Sequence, residues 1–423
     1  MLPKRRAVRE DLSARIAQLE SHSARKYIMV RKQLPASDPG GVPPIDLFEA
    51  IGGSAKCLDL STAFYARVAK DSTLRPLFPG KTFKCAIEEF AAFLVQFLGG
   101  PSEDTQRRWW LSLRESHLRF QIGQKERDAW IGHMTRALGD IEMSASMRSS
   151  LRELFEEASA YVVNTGPNVA ATKRRSEISD IHAQIGRRWE EQRALDEAVA
   201  AVREGDLHRI IAMIAGPPLQ SCFQRSRSVF ASFTGVLIGS GNGVMAEYAK
   251  TILLENPDLA LESYSDRTLL HAASAAGNLP IVAAILRLGV DANIQDGGGH
   301  TPLYYVGNEC PGGGPVVRAL IQGGAKVDAC DGVKRCTALH MAARRGNVQV
   351  SEVLLECGAN IEARDSLGET PLRRAVNCRQ TGVAACLLAK GADPRSVGSK
   401  GLTPLSAARA GAMRVLLQIW AAS

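Results

Sequence analysis

Five tetrapeptides in the C-terminal half of this 423-residue chain stand in phase. They are Thr268-Leu269-Leu270-His271, Thr301-Pro302-Leu303-Tyr304, Thr337-Ala338-Leu339-His340, Thr370-Pro371-Leu372-Arg373 and Thr403-Pro404-Leu405-Ser406, at spacings of 33, 36, 33 and 33 residues. A fixed period of this length marks a stack of small helical units, because one helix pair cannot bury its apolar face alone and must pack on the next. Second-helix cores follow in phase as Ile285-Leu286, Leu320-Ile321, Leu354-Leu355, Leu387-Leu388 and Leu416-Leu417. Loops come next, as Gly289-Val290-Asp291, Gly324-Ala325-Lys326, Gly358-Ala359-Asn360 and Gly391-Ala392-Asp393. The 36-residue spacing needs extra residues, which stretches 309–314 and 332–335 supply. Two degenerate units are expected ahead of the clear ones, the first at 198–207 and the second from Gly241 through Asp258.

The period and its motifs resemble ankyrin repeats, which implies an α-solenoid over residues 195–423 and a protein partner docked on it. Within that pattern His271 and His340 lose their appearance of catalytic bases, since the resemblance implies that this position ties adjacent repeats by hydrogen bonds. Gly239-Ser240-Gly241-Asn242-Gly243 follows an apolar run as a phosphate loop would. No strand–helix–strand unit surrounds it and no P-loop lysine follows, so it reads as an inter-helix turn. No Ser/His/Asp or paired-carboxylate arrangement remains.

A chain of this length suggests two or three domains. Its net charge of +8 is concentrated in front, where Lys4, Arg5, Arg6, Arg9, Arg15, Arg25, Lys26, Arg31 and Lys32 outnumber the acids. Without interleaved aromatics, a solvated arm is expected rather than a nucleic-acid site. Glu10, Asp11 and Glu20 argue against a transit peptide, and no apolar h-region follows the basic start. The longest apolar run, Val229 to Ile238, is about half of the roughly 20 residues that a membrane span requires. Nine cysteines, an odd number without a C-x-x-C pair, point to a reducing compartment, the cytoplasm or an organelle. Cys330, Cys336 and His340 match no zinc spacing and lack a fourth ligand.

Residues 1–44 read as a basic extension, with Leu12, Ile16 and Leu19 as a thin apolar stripe, closed by a Pro/Gly linker. From Ile45 the pattern is helical. A short helix ends at Gly52-Gly53; a second runs from Leu58 to Lys70, with Leu60, Phe64 and Val68 on one face and Tyr65 beside them. Prolines bracket the turn Leu74-Arg75-Pro76-Leu77-Phe78-Pro79, and an apolar helix from Cys85 to Leu98 stops at Gly99-Gly100-Pro101. A short segment with His117 then leads into helices at 124–138 and 147–163. Residues 170–191, with Lys173-Arg174-Arg175 and an Ile178, Ile181, Ile185 stripe, read as a connecting helix.

Gly52-Gly53, Phe64-Tyr65, the Leu74 to Pro79 turn, Gly99-Gly100-Pro101, His117 with Phe120, and Glu126-Arg127-Asp128-Ala129-Trp130 together resemble a truncated haemoglobin of the second group, over residues 45–165. The resemblance implies an all-α protein whose front domain is a two-over-two helical sandwich around haem b. It makes His117 the single proximal ligand of the iron, a role suited to a neutral imidazole. It also places Tyr65 and Trp130 on the opposite face as hydrogen-bond donors to a diatomic ligand. Phe78 would stack at the haem edge, where the family often has tyrosine. Ala86 stands where larger globins would carry a distal histidine, so no distal imidazole is expected. Phe90, Phe93 and Leu94 would line the apolar wall, and Phe120 belongs to the proximal motif. Glu115 and Ser116 replace the family's usual apolar and basic residues, leaving Arg114 to meet a propionate. His133, three residues after Trp130, reads as a helix-surface residue rather than a rival ligand.

The domains expected are therefore 1–44, the globin at 45–165, a connecting helix at 166–194 and repeats at 195–423. The function these imply is binding of O2 or another diatomic gas at ferrous haem, as in an oxygen carrier or store, with the solenoid engaging a protein. Two alternatives are a haem-based gas sensor or adaptor, and a nitric oxide dioxygenase or peroxidase fed by a separate reductase, since no reductase domain is visible. A haem-less scaffold is a further alternative, opened by the Glu115-Ser116 pair.

Overall fold

The computed structural model describes residues 46–78, 80–101, 112–165, 180–310, 313–398, 401–408 and 411–422. The basic arm, the Pro/Gly linker, the Lys173-Arg174-Arg175 cluster and Ile178 lie outside the described residues. Those described form helices and short 3-10 turns, with two isolated β-bridges and no named strand.

Helix α1 (Leu47–Ile51) starts because the Asp46 carboxylate accepts the Phe48 and Glu49 N–H groups, which have no partner inside the helix. Gly52, at φ 101°, ends it and opens α2 (Gly53–Val68). That backbone conformation favours glycine, and it starts α2 five residues before the expected Leu58. Leu60, Phe64 and Val68 recur every four residues and are fully buried, as their spacing predicts. Helix α3 (Lys84–Leu98) stops at Gly99 in the left-handed region.

After α4 (Leu113–His117) come α5 (Gln124–Asp140) and α6 (Ala145–Tyr161). The α2/α3 pair lies across the α5/α6 pair through contact between α2 and α5, which is the two-over-two arrangement. Its core holds Leu60, Phe64, Leu94, Leu98, Met134, Leu138, Met147 and Leu151.

Helix α7 (Asp180–Glu204) runs 25 residues without a break. The boundary expected after residue 194 falls inside it: the connecting helix and the first helix of the solenoid are one element. Ile185 and Trp189 belong to the globin core, whereas Leu195, Ala198, Val199 and Val202 belong to the solenoid core. A single continuous helix therefore enters both cores.

The solenoid continues with α8 (Leu207–Ile214), α9 (Pro217–Arg225), α10 (Arg227–Gly239) and α11 (Gly243–Glu255). The clear repeats supply α12 (Leu269–Ala275), α13 (Leu279–Arg287), α14 (Pro302–Glu309), α15 (Gly314–Gln322), α16 (Ala338–Arg345), α17 (Val348–Glu356), α18 (Pro371–Asn377), α19 (Thr381–Ala389), α20 (Pro404–Ala407) and α21 (Ala412–Ala422). First helices α10, α12, α14, α16, α18 and α20 stack in order, as do second helices α11, α13, α15, α17, α19 and α21. One core extends from Leu195 to Leu417.

The second degenerate unit differs from expectation. Its first helix is α10, which carries the apolar run 229–238, and the stretch from Gly241 is only its second helix. The motif was hidden because Ser226, not a Thr-x-Leu tetrapeptide, caps α10 through the Val229 N–H. Gly241 lies in the turn between these helices, as expected.

Three of the clear repeats are tied to the next through the last residue of their tetrapeptides. Thr268 N–H donates to His271 Nδ1 at 3.1 Å, and Thr337 N–H to His340 Nδ1 at 3.2 Å. With Nδ1 accepting, Nε2 carries the proton and donates 29 residues downstream, to the His300 and Glu369 carbonyls at 3.1 and 3.0 Å. Arg373 at the same position reaches the Thr403 carbonyl at 2.6 Å. Among the described residues, no helix is long and apolar enough to cross a membrane.

Candidate functional site

Helix α4 is short, and nearly everything that fixes His117 converges on Leu113. His117 Nδ1 lies 2.7 Å from the Leu113 carbonyl, one helical turn back. An imidazole that donates from Nδ1 to a carbonyl presents its lone pair at Nε2, the arrangement a metal-binding histidine requires. Ser116 Oγ donates to the same carbonyl at 2.6 Å and sits 2.9 Å from Nδ1. The serine that departs from the family pattern thus joins the network orienting the ring. Burial, with Arg119 nearby, lowers the His117 pKa below its ordinary value against the opposing bond to Leu113, so the ring stays neutral.

The flanks of α4 are held from two sides. Asn164, just past α6, accepts the Ile122 N–H at 2.9 Å and donates to the Phe120 carbonyl at 2.8 Å. From α7, Asp196 Oδ1 accepts the Leu113 N–H at 2.8 Å, and its second oxygen receives the Arg114 N–H at 3.4 Å. Burial pushes the Asp196 carboxyl up to about 6, opposed by hydrogen bonds from Leu113, Gln192, Arg114 and Ser112. The Arg114 guanidinium lies over the Tyr161 ring at 5.7 Å.

Neighbouring aromatic rings lead from His117 to Tyr65 without interruption. Phe120 is 6.3 Å from His117 between centroids, Phe78 is 6.2 Å from Phe120, and Tyr65 is 5.5 Å from Phe78. Trp130 sits 5.1 Å from Phe64 and 6.4 Å from Phe90, which stacks on Phe93 at 6.3 Å. Phe64 is buried beneath this group, yet Tyr65, Phe78, Phe90, Phe93, Phe120, Trp130 and His117 itself are only half-buried. Contiguous aromatic side chains with accessible faces are unusual unless something covers them. With one neutral imidazole beside them, this donor set and wall fit a flat apolar macrocycle with an axial nitrogen ligand.

Burial, then the charge of Glu89, raises the Tyr65 pKa, so its phenol stays protonated and able to donate. Leu94 lies wholly inside the helical core, whereas Phe90 and Phe93 of the same helix are only half-buried. Ala86 is half-buried in the first turn of α3. His133 is engaged elsewhere: its Nε2 is 2.8 Å from Asp71 Oδ2, and Asp71 also accepts the Thr73 and Leu74 N–H groups. This contact pins α5 to the turn that presents Phe78. His133 leads the interactions that lower the Asp71 pKa.

Sequence reasoning missed Phe83, whose ring lies 5.5 Å from Tyr65 and 5.4 Å from Phe78, under the Arg75 guanidinium at 5.0 Å. It also missed Asn164 and Asp196. Phe83 stands in a loop without periodicity, and Asp196 acts across 83 residues, so neither leaves a local signal. Among the described residues no cluster of three or more His, Cys, Asp or Glu side chains is arranged to hold a metal ion.

Comparison with known proteins agrees with both halves of this description. Residues 46–164 match the Bacterial-like globin family. Residues 265–297 match the Ankyrin repeat family, and residues 308–397 match Ankyrin repeats (3 copies). The group 2 truncated hemoglobin YjbI of Bacillus subtilis (strain 168) is 33% identical over 117 residues, covering 28% of this chain and 87% of that protein. Human Ankyrin repeat and SOCS box protein 16 is 35% identical over 147 residues, covering 33% of this chain and 32% of its own length. Human SH3 and multiple ankyrin repeat domains protein 2 is 30% identical over 141 residues, 33% of this chain and 8% of its own length. The chain thus spans a third or less of these ankyrin relatives.

Proposed function

The chain belongs to the group 2 truncated haemoglobins through residues 46–164 and carries ankyrin repeats behind them; from that premise we propose that it binds haem b at His117 and takes up O2 or another diatomic gas reversibly, while the solenoid docks a protein partner. The observation that carries this reading is the 2.7 Å contact between His117 Nδ1 and the Leu113 carbonyl, which frees Nε2 in a neutral ring. Haem would supply a ferrous iron able to bind the gas. His117 would hold it from the proximal side, and the Phe78, Phe90, Phe93 and Phe120 rings would exclude water. The Tyr65 hydroxyl and the Trp130 indole N–H would donate to negative charge drawn onto the ligand, and such bonds gain strength where water is excluded. Non-covalent haem b is favoured because the chain has no C-x-x-C-H attachment motif.

The gas-sensor reading has one observation in its favour: α7 is shared by the globin and solenoid cores. The dioxygenase and peroxidase readings require electrons from a separate reductase. An odd number of cysteines without a C-x-x-C pair suits a reducing compartment such as the cytoplasm.

Absorption spectra of the full chain and of His117→Ala, each reconstituted with haem, test the assignment. Wild type is expected to show a Soret band and ferrous visible bands that shift with O2 and CO, and the variant to lose the native ferrous spectrum. A wild-type chain that takes up no haem would leave the scaffold reading standing. A variant with an unchanged ferrous spectrum would remove His117 as ligand.

A further inference from the structure

A helix as short as α4 does not hold itself together in water, because nucleation costs more than a few hydrogen bonds return. Its conformation, and with it the direction of the His117 ring, depends on contacts from outside. A helix N-terminus is ordinarily capped by the residue just before it. Here that residue, Ser112, is buried and spends its side chain on Asp196. The Leu113 and Arg114 N–H groups are received by the Asp196 carboxylate instead, from a helix 83 residues further along the chain.

Leu113 is the hinge of this arrangement. Its N–H is held by Asp196 and its carbonyl holds His117 Nδ1, at 2.8 and 2.7 Å, so the two contacts share one residue. Asp196 itself is fixed: it is 3% exposed, and Gln192, one turn back on α7, donates to it at 3.1 Å. Around it, α7 grips the same region through Trp189, whose ring meets Tyr161 edge-on at 5.7 Å, and Arg193, which lies over Tyr161 at 5.9 Å. Three residues further along α7, Val199 is in the solenoid core.

We propose that Asp196 is the positioning residue of the proximal histidine, and that the helix opening the solenoid sets the orientation of the His117 imidazole through Leu113. The proposal rests on the haem reading above. Displacement of α7 would carry the cap with it, so contacts made by the first repeat reach the ring through two hydrogen bonds.

The test uses full-length Asp196→Ala and Asp196→Asn beside wild type, with far-UV circular dichroism to confirm folding. Asparagine keeps the acceptor for Leu113 but loses the charge and the second acceptor. It decides the matter alone if the alanine chain does not fold. Two readouts are taken. In haem-free protein, nitrogen NMR of the histidine rings reports the His117 tautomer, identified by the signal absent from His117→Ala. In haem-loaded ferrous protein, resonance Raman reports the iron–histidine stretching band.

Wild type is expected to show a single Nδ1–H form and one sharp band. The alanine variant should show mixed tautomers and a shifted, broadened band, with asparagine in between. Unchanged tautomer and band in folded variants overturn the proposal, as does a changed tautomer beside an unchanged band. If wild type takes up no haem, the functional reading fails. The tautomer comparison then decides whether Asp196 positions the ring.

Discussion

Replacing Tyr65 with phenylalanine isolates one hydroxyl. The ring contacts of Tyr65 to Phe64 at 5.0 Å, Phe78 at 5.5 Å and Phe83 at 5.5 Å are made by the ring and are available to phenylalanine. The fold and the wall should therefore survive, and the loss is confined to the donor. Burial and the charge of Glu89 hold that donor in its protonated form, so wild type offers it fully at neutral pH. A hydrogen bond to a charged acceptor contributes about 1.5–3 kcal/mol. At about 1.4 kcal/mol per decade, Tyr65→Phe should release O2 roughly ten to a hundred times faster. CO draws little negative charge on binding, so its release should change by less than about twofold. Stopped-flow displacement of each gas from reconstituted full-length protein measures both rates. Trp130→Phe and the double variant complete a cycle: if the two donors share one ligand atom, their effects will not add. An O2 release rate within about twofold of wild type, while CO is also unchanged, would show that Tyr65 does not donate.

Two glycines separate close packing from mere conformational freedom. A Cβ on Gly307 of α14 would stand 2.4 Å from the Ala338 carbonyl oxygen at the start of α16, a backbone atom that cannot turn aside. Gly307→Ala should cost about 1–3 kcal/mol in urea denaturation despite its better helix propensity. A Cβ on Gly186, exposed in the middle of α7, would meet nothing within 4 Å, so Gly186→Ala should stabilise by about 0.5–1 kcal/mol. Acid should weaken the solenoid through His271 and His340. Burial lowers both pKa values below the ordinary 6.5. Below pH 6.5 the unfolded chain then binds protons that the folded rings refuse, and stability falls as pH falls. Thermal melts between about pH 5 and 8 should show a decline that shrinks in His271→Gln with His340→Gln; an undiminished slope would assign it to other groups.

What the sequence made legible was whatever repeats or lies close along the chain. The Thr-x-Leu tetrapeptides located α12, α14, α16, α18 and α20 because cap and first-helix core, joined in two of them by the inter-repeat histidine, sit within four residues. The Leu60, Phe64, Val68 spacing and the Gly52-Gly53 and Gly99-Gly100 stops placed the helices of the front domain for the same reason. Position α10 escaped because it is buried on every side: Phe230, Ala231, Phe233, Leu237 and Ile238 are all buried, and so is Thr234 between them, which removes the periodicity that marks a one-faced helix. His117, Tyr65 and Trp130 could be named through their motifs, but what orients His117 could not. Ser116 looked like a departure from pattern until its hydroxyl was seen on the Leu113 carbonyl.

Helix α7 shows how a boundary can be invisible for a physical reason. A linker between independent domains is usually polar and broken by proline or glycine, since few contacts cross it. The stretch from Asp180 to Glu204 holds a single glycine and no proline. Its apolar residues serve the globin core through Ile185 and Trp189, then the solenoid core from Leu195 onward, because a helix turning 100° per residue faces different neighbours along its length. Moving one core relative to the other would have to bend α7 or unpack one of its ends, and bending a straight helix without a kink-forming residue is costly. The two cores are thus mechanically joined at the point where Asp196 caps the His117 segment. Thermodynamic linkage makes that joint reciprocal: if a protein on the first repeats alters gas affinity, gas binding must alter the affinity for that protein by the same factor.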